Sequence, residues 1–274
     1  ELRAAAVAPV LVITALALLF IIARWATRVY ILHHVGPEDF ILTASMLVSI
    51  GMTAVITART KKSSSASLIS SMQSVPSLQR YLLISSNILY HATVNLTKTS
   101  IVTQYCRIFW GCPIVQGWCY ALYGLLTLAA LWGIAGGGTV CVPIAKYWSM
   151  DIEGTCMSFN VYWLTSAGVN LLADLIIWIL PMPVVKQLQL PKRQMNTVLV
   201  IFGLGGTVCV VATLRLTLVQ AFSGRKEGTN AGVAAVVWSA VEANVGIICA
   251  SLISLKPLVQ RFFPRLLLKR PRVA

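Results

Sequence analysis

Residues 95–109 read NLTKTSIVTQYCRIF. They close an apolar run that begins near residue 81 and is long enough to cross a bilayer, yet Lys98 lies well inside it. A charge at that depth costs about 2.5–3.5 kcal/mol on insertion scales. Such a residue faces the interior of a helical bundle, where it is paired or carries function. The reading of Lys98 therefore sets the fold and the site together: the chain must supply other membrane helices and, among them, a partner.

The remainder of the chain supplies both. Its 274 residues are 57% hydrophobic and only 11% charged, against about 25% charged in an ordinary soluble domain. So few charges cannot cover a water-facing surface. Apolar runs of about 20 residues, the length of a membrane-crossing helix, lie near 7–23, 38–58, 81–106, 117–140, 160–182, 197–222 and 231–255. They predict an all-α, polytopic membrane protein: a seven-transmembrane-helix bundle. The first run exceeds a signal-peptide core of about 7–15 residues and reads as a true span. The chain starts at Glu1 rather than Met, which suggests a removed or trimmed N-terminal piece. The serine-rich KKSSSASLISSMQS at 61–74 reads as a flexible loop between the second and third spans.

The formal net charge is +14. On a soluble protein this would suggest nucleic acid. Here Lys and Arg cluster between apolar runs and no basic-aromatic groove is present, so the expected partner is anionic lipid and not nucleic acid. The Lys and Arg of alternate loops favour an outside N-terminus and a cytoplasmic C-terminus. Arg59, Lys61, Lys62 and Arg80 in the second loop run against that bias. The seven-span domain is expected over residues 1–256. Residues 257–274, PLVQRFFPRLLLKRPRVA, form a basic tail, either disordered in the cytoplasm or lying in the inner interface. Pro257 and Pro264 argue against one continuous helix there.

Cys141 and Cys156 bracket the loop CVPIAKYWSMDIEGTC, which this orientation places outside, where disulfides persist. A bridge would close a loop of about 16 residues, worth about 3 kcal/mol in the chain-entropy picture. Two free thiols are the alternative. The other five cysteines lie in or beside spans and read as packing residues.

Four charges fall within spans: Lys98, Asp174, Arg215 and Glu242. At 1.5 Å per residue, Lys98 and Asp174 both lie about 13 Å from the inner boundary. Arg215 and Glu242 both lie about 14–17 Å from the outer one. Depth thus pairs Lys98 with Asp174 and Arg215 with Glu242. Glu38 and Asp39, at the mouth of the second span, are expected to stay in water. Helical phase gives the inward faces. Asn87, His91, Lys98 and Tyr105 fall within about 40° of one another at 100° per residue. Asn170, Asp174 and Trp178 share a face of the fifth span, and Trp238 and Glu242 a face of the seventh, with Asn244 turned away. The candidates for a ligand-binding or switch site are therefore Asn87, His91, Lys98, Asn170, Asp174, Arg215, Trp238 and Glu242. The same stripes also suit simple helix-to-helix pairing with no ligand.

No metal-ligand spacing appears, since His33, His34 and His91 make no ligand set, and neither a Ser-His pair nor an HExxH motif is evident. Nor does Lys98 suit retinal: opsins carry the Schiff-base lysine on the seventh helix, and the seventh span here has none. No cofactor is expected.

Several segments follow one another along the chain: RWATRVY at 24–30, GPEDF at 36–40, KTSIVTQYCRIF at 98–109, CVPIAKYW followed by GTC over 141–156, NLLADLIIWILPMPVVKQLQLPKRQ at 170–194, TLRLTLV at 213–219 and WSAVEANVGIICASL at 238–252. In that order they resemble the fungal rhodopsin-like domain family of integral membrane proteins. Lys98, Asp174, Arg215 and Glu242 coincide with motif positions of that family. Glu38 stands where the family has Asp, and the loop at 59–80 lacks the family's Gly/Tyr-rich character. The resemblance implies a receptor-like membrane protein of a filamentous fungus, of a type also encoded in secondary-metabolite clusters.

The leading reading is a seven-helix receptor without retinal. It would bind a small molecule in a polar cavity between the third, fifth, sixth and seventh spans, and signal to a cytoplasmic partner through Arg107 and the basic loop 186–193. The alternative is a membrane-embedded enzyme, cyclase- or isomerase-like, acting on an apolar secondary metabolite with Asp174 or Glu242 as acid. A transporter is disfavoured, because the chain shows no internal repeat and no paired broken helices.

Overall fold

The computed structural model describes residues 2–66, 75–138, 141–142, 153, 155–156, 159–182, 203, 205–217 and 228–255. Helix α1 (Leu2–Ala26) ends in a π-helical turn (Thr27–Ile31). Then come α2 (Pro37–Ala66), α3 (Val75–Ile108) and α4 (Pro113–Gly138). A two-residue antiparallel pair, β1 (Cys141–Val142) and β2 (Thr155–Cys156), precedes α5 (Phe159–Ile179). The chain continues through α6 (Gly205–Thr217) to α7 (Gly228–Ser254).

Local chemistry explains the ends. Pro37 and Pro113 open α2 and α4 at the position where a missing N–H costs nothing. Glu38 and Asp39 sit in the first turn of α2, where negative charge suits the helix dipole. The serine-rich loop expected at 61–74 is shorter than its composition suggests. Helix α2 runs on to Ala66 and α3 begins at Val75, leaving 67–74 outside the described residues. Lys61 and Lys62 are good helix formers, and each added residue gains one backbone bond once the helix is nucleated.

Five helical segments are long and apolar enough to cross a membrane, with mean hydropathy from 1.4 to 2.5: Val7–Ile31, Pro37–Ala58, Pro113–Gly136, Val161–Ile179 and Ala235–Ser254. Helix α3 falls short on composition because it carries so many hydroxyls and amides. Those groups are satisfied inside the bundle, mostly by α3 itself. Thr93, Thr97, Thr99 and Thr103 each donate to the carbonyl four residues back, as does the Asn95 amide.

Helix α3 is the axis. It packs against α2, α4, α5 and α7, while α7 also packs on α1 and α2. Helix α6 closes the ring between α5 and α7, with Thr207 3.7 Å from Cys249. Apolar side chains such as Leu19, Leu47, Leu128 and Leu164 point outward. In water this would be a continuous apolar coat; in a bilayer it is the lipid-facing surface. Small residues set the closest approaches. Ala240, Ala243 and Ala250 are buried along the seam of α7, and a Cβ on Gly133 would collide with the His91 ring.

Candidate functional site

The four charges buried in the helical bundle meet as two pairs. Lys98 Nζ on α3 lies 3.0 Å from Asp174 Oδ1 on α5. Arg215 Nη1 on α6 lies 2.8 Å from Glu242 Oε2 on α7, off the line of a hydrogen bond. All four side chains are at most 7% exposed. Their formal charges cancel within the layer, which is the condition for keeping four ions out of water.

Asn170 joins the two pairs into one network. Lys98 Nζ donates to the Asn170 backbone oxygen at 2.7 Å and to its Oδ1 at 2.6 Å. The Asn170 amide donates in turn to Glu242 Oε1 at 2.8 Å. Tyr90 completes it: its hydroxyl donates to Glu242 Oε2 at 3.0 Å, and its ring lies 4.6 Å beneath the Arg215 guanidinium. Trp163 flanks the same guanidinium at 5.9 Å. Three protein acceptors thus surround the three N–H donors of Lys98.

The N-terminal part of the α3 stripe is separate. Asn87 donates to Tyr162 Oη at 3.0 Å, and Tyr162 donates to the Gly133 carbonyl at 2.7 Å. His91 Nε2 lies 3.2 Å from Ser166 Oγ. This Ser-His contact is absent from the linear motif reading because 75 residues separate its members. A cavity of about 10 Å³ beside them, lined by His91, Asn95, Lys98 and Ser166, has room for one water. Trp238, one turn before Glu242, is half-buried and does not join the network among the described residues.

A larger cavity of about 40 Å³ lies between α3, α5, α6 and α7, on the side of the pairs towards the C-terminal end of α7. Its walls include Asp174, Ile177, Trp178, Val208 and Ile253. Asp174 Oδ2 is buried without a hydrogen-bond partner among the described residues.

A second charged cluster departs from the expectation that Glu38 and Asp39 stay in water. Glu38 and Asp39 are 0% and 1% exposed rather than hydrated. Arg24 binds Asp39 Oδ1 at 2.7 Å and the Ala250 carbonyl of α7 at 2.7 Å. Arg28 reaches Glu38 Oε1 at 3.1 Å, and Arg107 reaches the same oxygen at 2.7 Å. The π turn and the left-handed His33, with φ of 48°, bring the chain back sharply enough for both acids to meet these arginines. The sequence signal was available: Arg24 and Arg28 are spaced i, i+4 on one helix face, close to two adjacent acids.

Cys141 and Cys156 stand directly opposite each other in the β pair. Their side chains, the loop 186–193 and the tail 257–274 lie outside the described residues.

The order of these segments along the chain is matched by a family model described as the Fungal rhodopsin domain, over residues 23–261. The chain belongs to the fungal rhodopsin domain family. Among curated relatives it is similar to "Receptor GIN3" of Arthrobotrys oligospora, 29% identical over 188 residues, covering 67% of this chain and 44% of the relative. It is 28% identical over 193 residues to a "SAT4 family membrane protein" of Emericella nidulans, covering 68% and 48%. It is 25% identical over 172 residues to "Satratoxin biosynthesis SC1 cluster protein 4" of Stachybotrys chartarum, covering 60% and 59%. The chain spans about half the length of these relatives. No solved structure matches it. As a fungal rhodopsin domain protein with five apolar helices of spanning length, it is a multi-pass membrane protein.

Proposed function

We propose that the protein is a seven-helix receptor-like membrane protein that binds a small molecule between α3, α5, α6 and α7 and passes the event to a cytoplasmic partner. The carrying observation is Asn170, which ties both intramembrane ion pairs into one unit across those four helices. An element that engages four helices through a few polar bonds is a place where a ligand can shift the balance between two packings. In this reading Asn87, His91, Lys98, Asn170, Asp174, Arg215, Trp238 and Glu242 line or gate the site. The N-terminus is outside. The basic tail is cytoplasmic or interfacial, Cys141 and Cys156 are bridged outside, and Arg107 and the loop 186–193 face the partner. The printed name of the Arthrobotrys relative, a receptor, agrees with this.

The enzyme alternative is less well supported. Glu242 has both oxygens engaged by Tyr90 and Asn170, and each acid has a cation within 3.0 Å, an arrangement that suits the joining of helices.

The test compares metabolites and their timing in the organism with the gene intact, deleted, or carrying Asn170→Leu. A receptor changes amounts or developmental timing while every metabolite keeps its identity. Accumulation of an unprocessed precursor in both altered strains would replace the receptor with an enzyme.

A further inference from the structure

We infer that the chamber between α3, α5, α6 and α7, beyond the Lys98–Asp174 pair, is a binding site for a neutral, mainly apolar molecule with one hydroxyl, which donates to Asp174 Oδ2. This names a ligand class for the receptor-like reading and rests on that reading for its biological role.

Charge settles the class first. Asp174 is 7% exposed, and its Oδ2 has no hydrogen-bond partner among the described residues. A buried carboxylate oxygen left without a donor is costly, so the site calls for one. A cation is the wrong donor: Lys98 already stands 3.0 Å from the other oxygen and the layer is charge-balanced. An anion is excluded by Asp174 itself. A neutral donor remains.

Shape and lining define the rest. The cavity, about 40 Å³, exceeds the roughly 10–15 Å³ needed by one water. Beyond Lys98 and Asp174 its lining is mainly apolar, with Ile177, Trp178, Val208 and Ile253 joined by Tyr105 and Cys249. A water wants 2–4 polar partners, and the donors of Lys98 are already surrounded by protein acceptors. One free acceptor above apolar walls suits a hydroxyl on a hydrocarbon body better than a water cluster. At this volume the chamber takes a short-chain alcohol or the hydroxyl-bearing end of a larger molecule. Gly205 provides the space for the wall: a Cβ there would collide with the Trp178 indole.

The experiment uses the full chain in lipid nanodiscs and a photoreactive butanol bearing a diazirine. Label is mapped by mass spectrometry, with butanol and its methyl ether as competitors. The inference expects label on α5 and α6 near Trp178 and Val208. Butanol should compete about tenfold better than the ether, the worth of one hydrogen bond to a charged acceptor. Val208→Phe, which fills the chamber with apolar bulk, should abolish the label. Lys98→Met/Asp174→Leu, which removes both charges together, should keep the label but lose the preference for alcohol. Equal competition by alcohol and ether in the unmodified protein, or label persisting in Val208→Phe, would overturn the site. Thermal melts of each variant confirm that it is folded. Absence of the site would leave the receptor reading standing on its metabolite test, and an accumulated precursor in that test would leave the site standing without a receptor.

Discussion

Lys98 donates to Asn170 twice, to the backbone oxygen at 2.7 Å and to the side-chain oxygen at 2.6 Å. The lysine that looked like a liability in a membrane span is thereby fastened to α5 at one residue and paired one turn along it. Asn170 then hands the connection to Glu242 on α7. The amide is the joint between two ion pairs that would otherwise be independent.

Asn170→Leu should therefore do more than remove a polar group. It takes one acceptor from Lys98 and one donor from Glu242. Hydrogen bonds to charged groups are worth about 1.5–3 kcal/mol each in water-soluble proteins, and less between membrane helices, about 0.6 kcal/mol on average. A loss of about 2 kcal/mol is expected in denaturation of the nanodisc-embedded protein. Asn170→Asp should be worse, since it places a third acid in a balanced layer.

The two arginines of the other charged cluster should differ sharply. Arg24 is 1% exposed and is bound to Asp39 and to the backbone of α7. Arg24→Ala leaves Asp39 one cation, the longer, 3.5 Å contact to Arg28, takes a side-chain donor from the Ala250 carbonyl, and should cost about 3 kcal/mol. Arg107 is 35% exposed, and Glu38 keeps Arg28 when it is lost. Arg107→Ala should cost less than about 1 kcal/mol. Equal losses for the two would refute the contrast drawn from burial.

The register of the β pair sets Cys141 opposite Cys156. Alkylation of the denatured, unreduced protein should then modify five of the seven cysteines, the remaining two forming the bridge. Modification of all seven would show two free thiols. Reduction should lower stability by about 3 kcal/mol for a loop of this length.

Gly133 and Gly124 both lie on α4 but face different surroundings. A Cβ at Gly133 meets the His91 ring, and one at Gly124 meets nothing within 4 Å. Gly133→Ala should destabilise by about 1–3 kcal/mol through overpacking. Gly124→Ala should stabilise by up to about 1 kcal/mol, because alanine is the better helix former. Paired thermal melts check the sign of each.

Much of the charged layer was legible because membrane burial leaves few options for a charge. Lys98, Asp174, Arg215 and Glu242 were bound to find partners, and depth along each helix sorted them. Asn170 was placed on the right face, yet its bridging role needs the separation of α5 and α7, which no single helix records. Tyr90 and Trp163 carry no signal in the sequence, because an aromatic ring in an apolar run looks like packing until a guanidinium lies above it. Glu38 and Asp39 differ from expectation because their position in the chain suggests water, and only the π turn after α1 shows that the arginines close over them. The apolar run at 81–106 is a helix, as the sequence leads one to expect, although its composition is too polar for a membrane-crossing segment. Its hydroxyls and amides find their acceptors inside the protein, and hydropathy does not count that.

The most direct test of the paired layer is a set of thermal denaturation cycles on the nanodisc-embedded protein. They combine Lys98→Met with Asp174→Asn in one double variant and with Glu242→Gln in another. The account predicts that Asp174→Asn relieves much of the damage done by Lys98→Met, a coupling of about 1–2 kcal/mol, and that Glu242→Gln relieves little. Rescue of Lys98→Met by Glu242→Gln and not by Asp174→Asn would contradict the pairing on which the site is built.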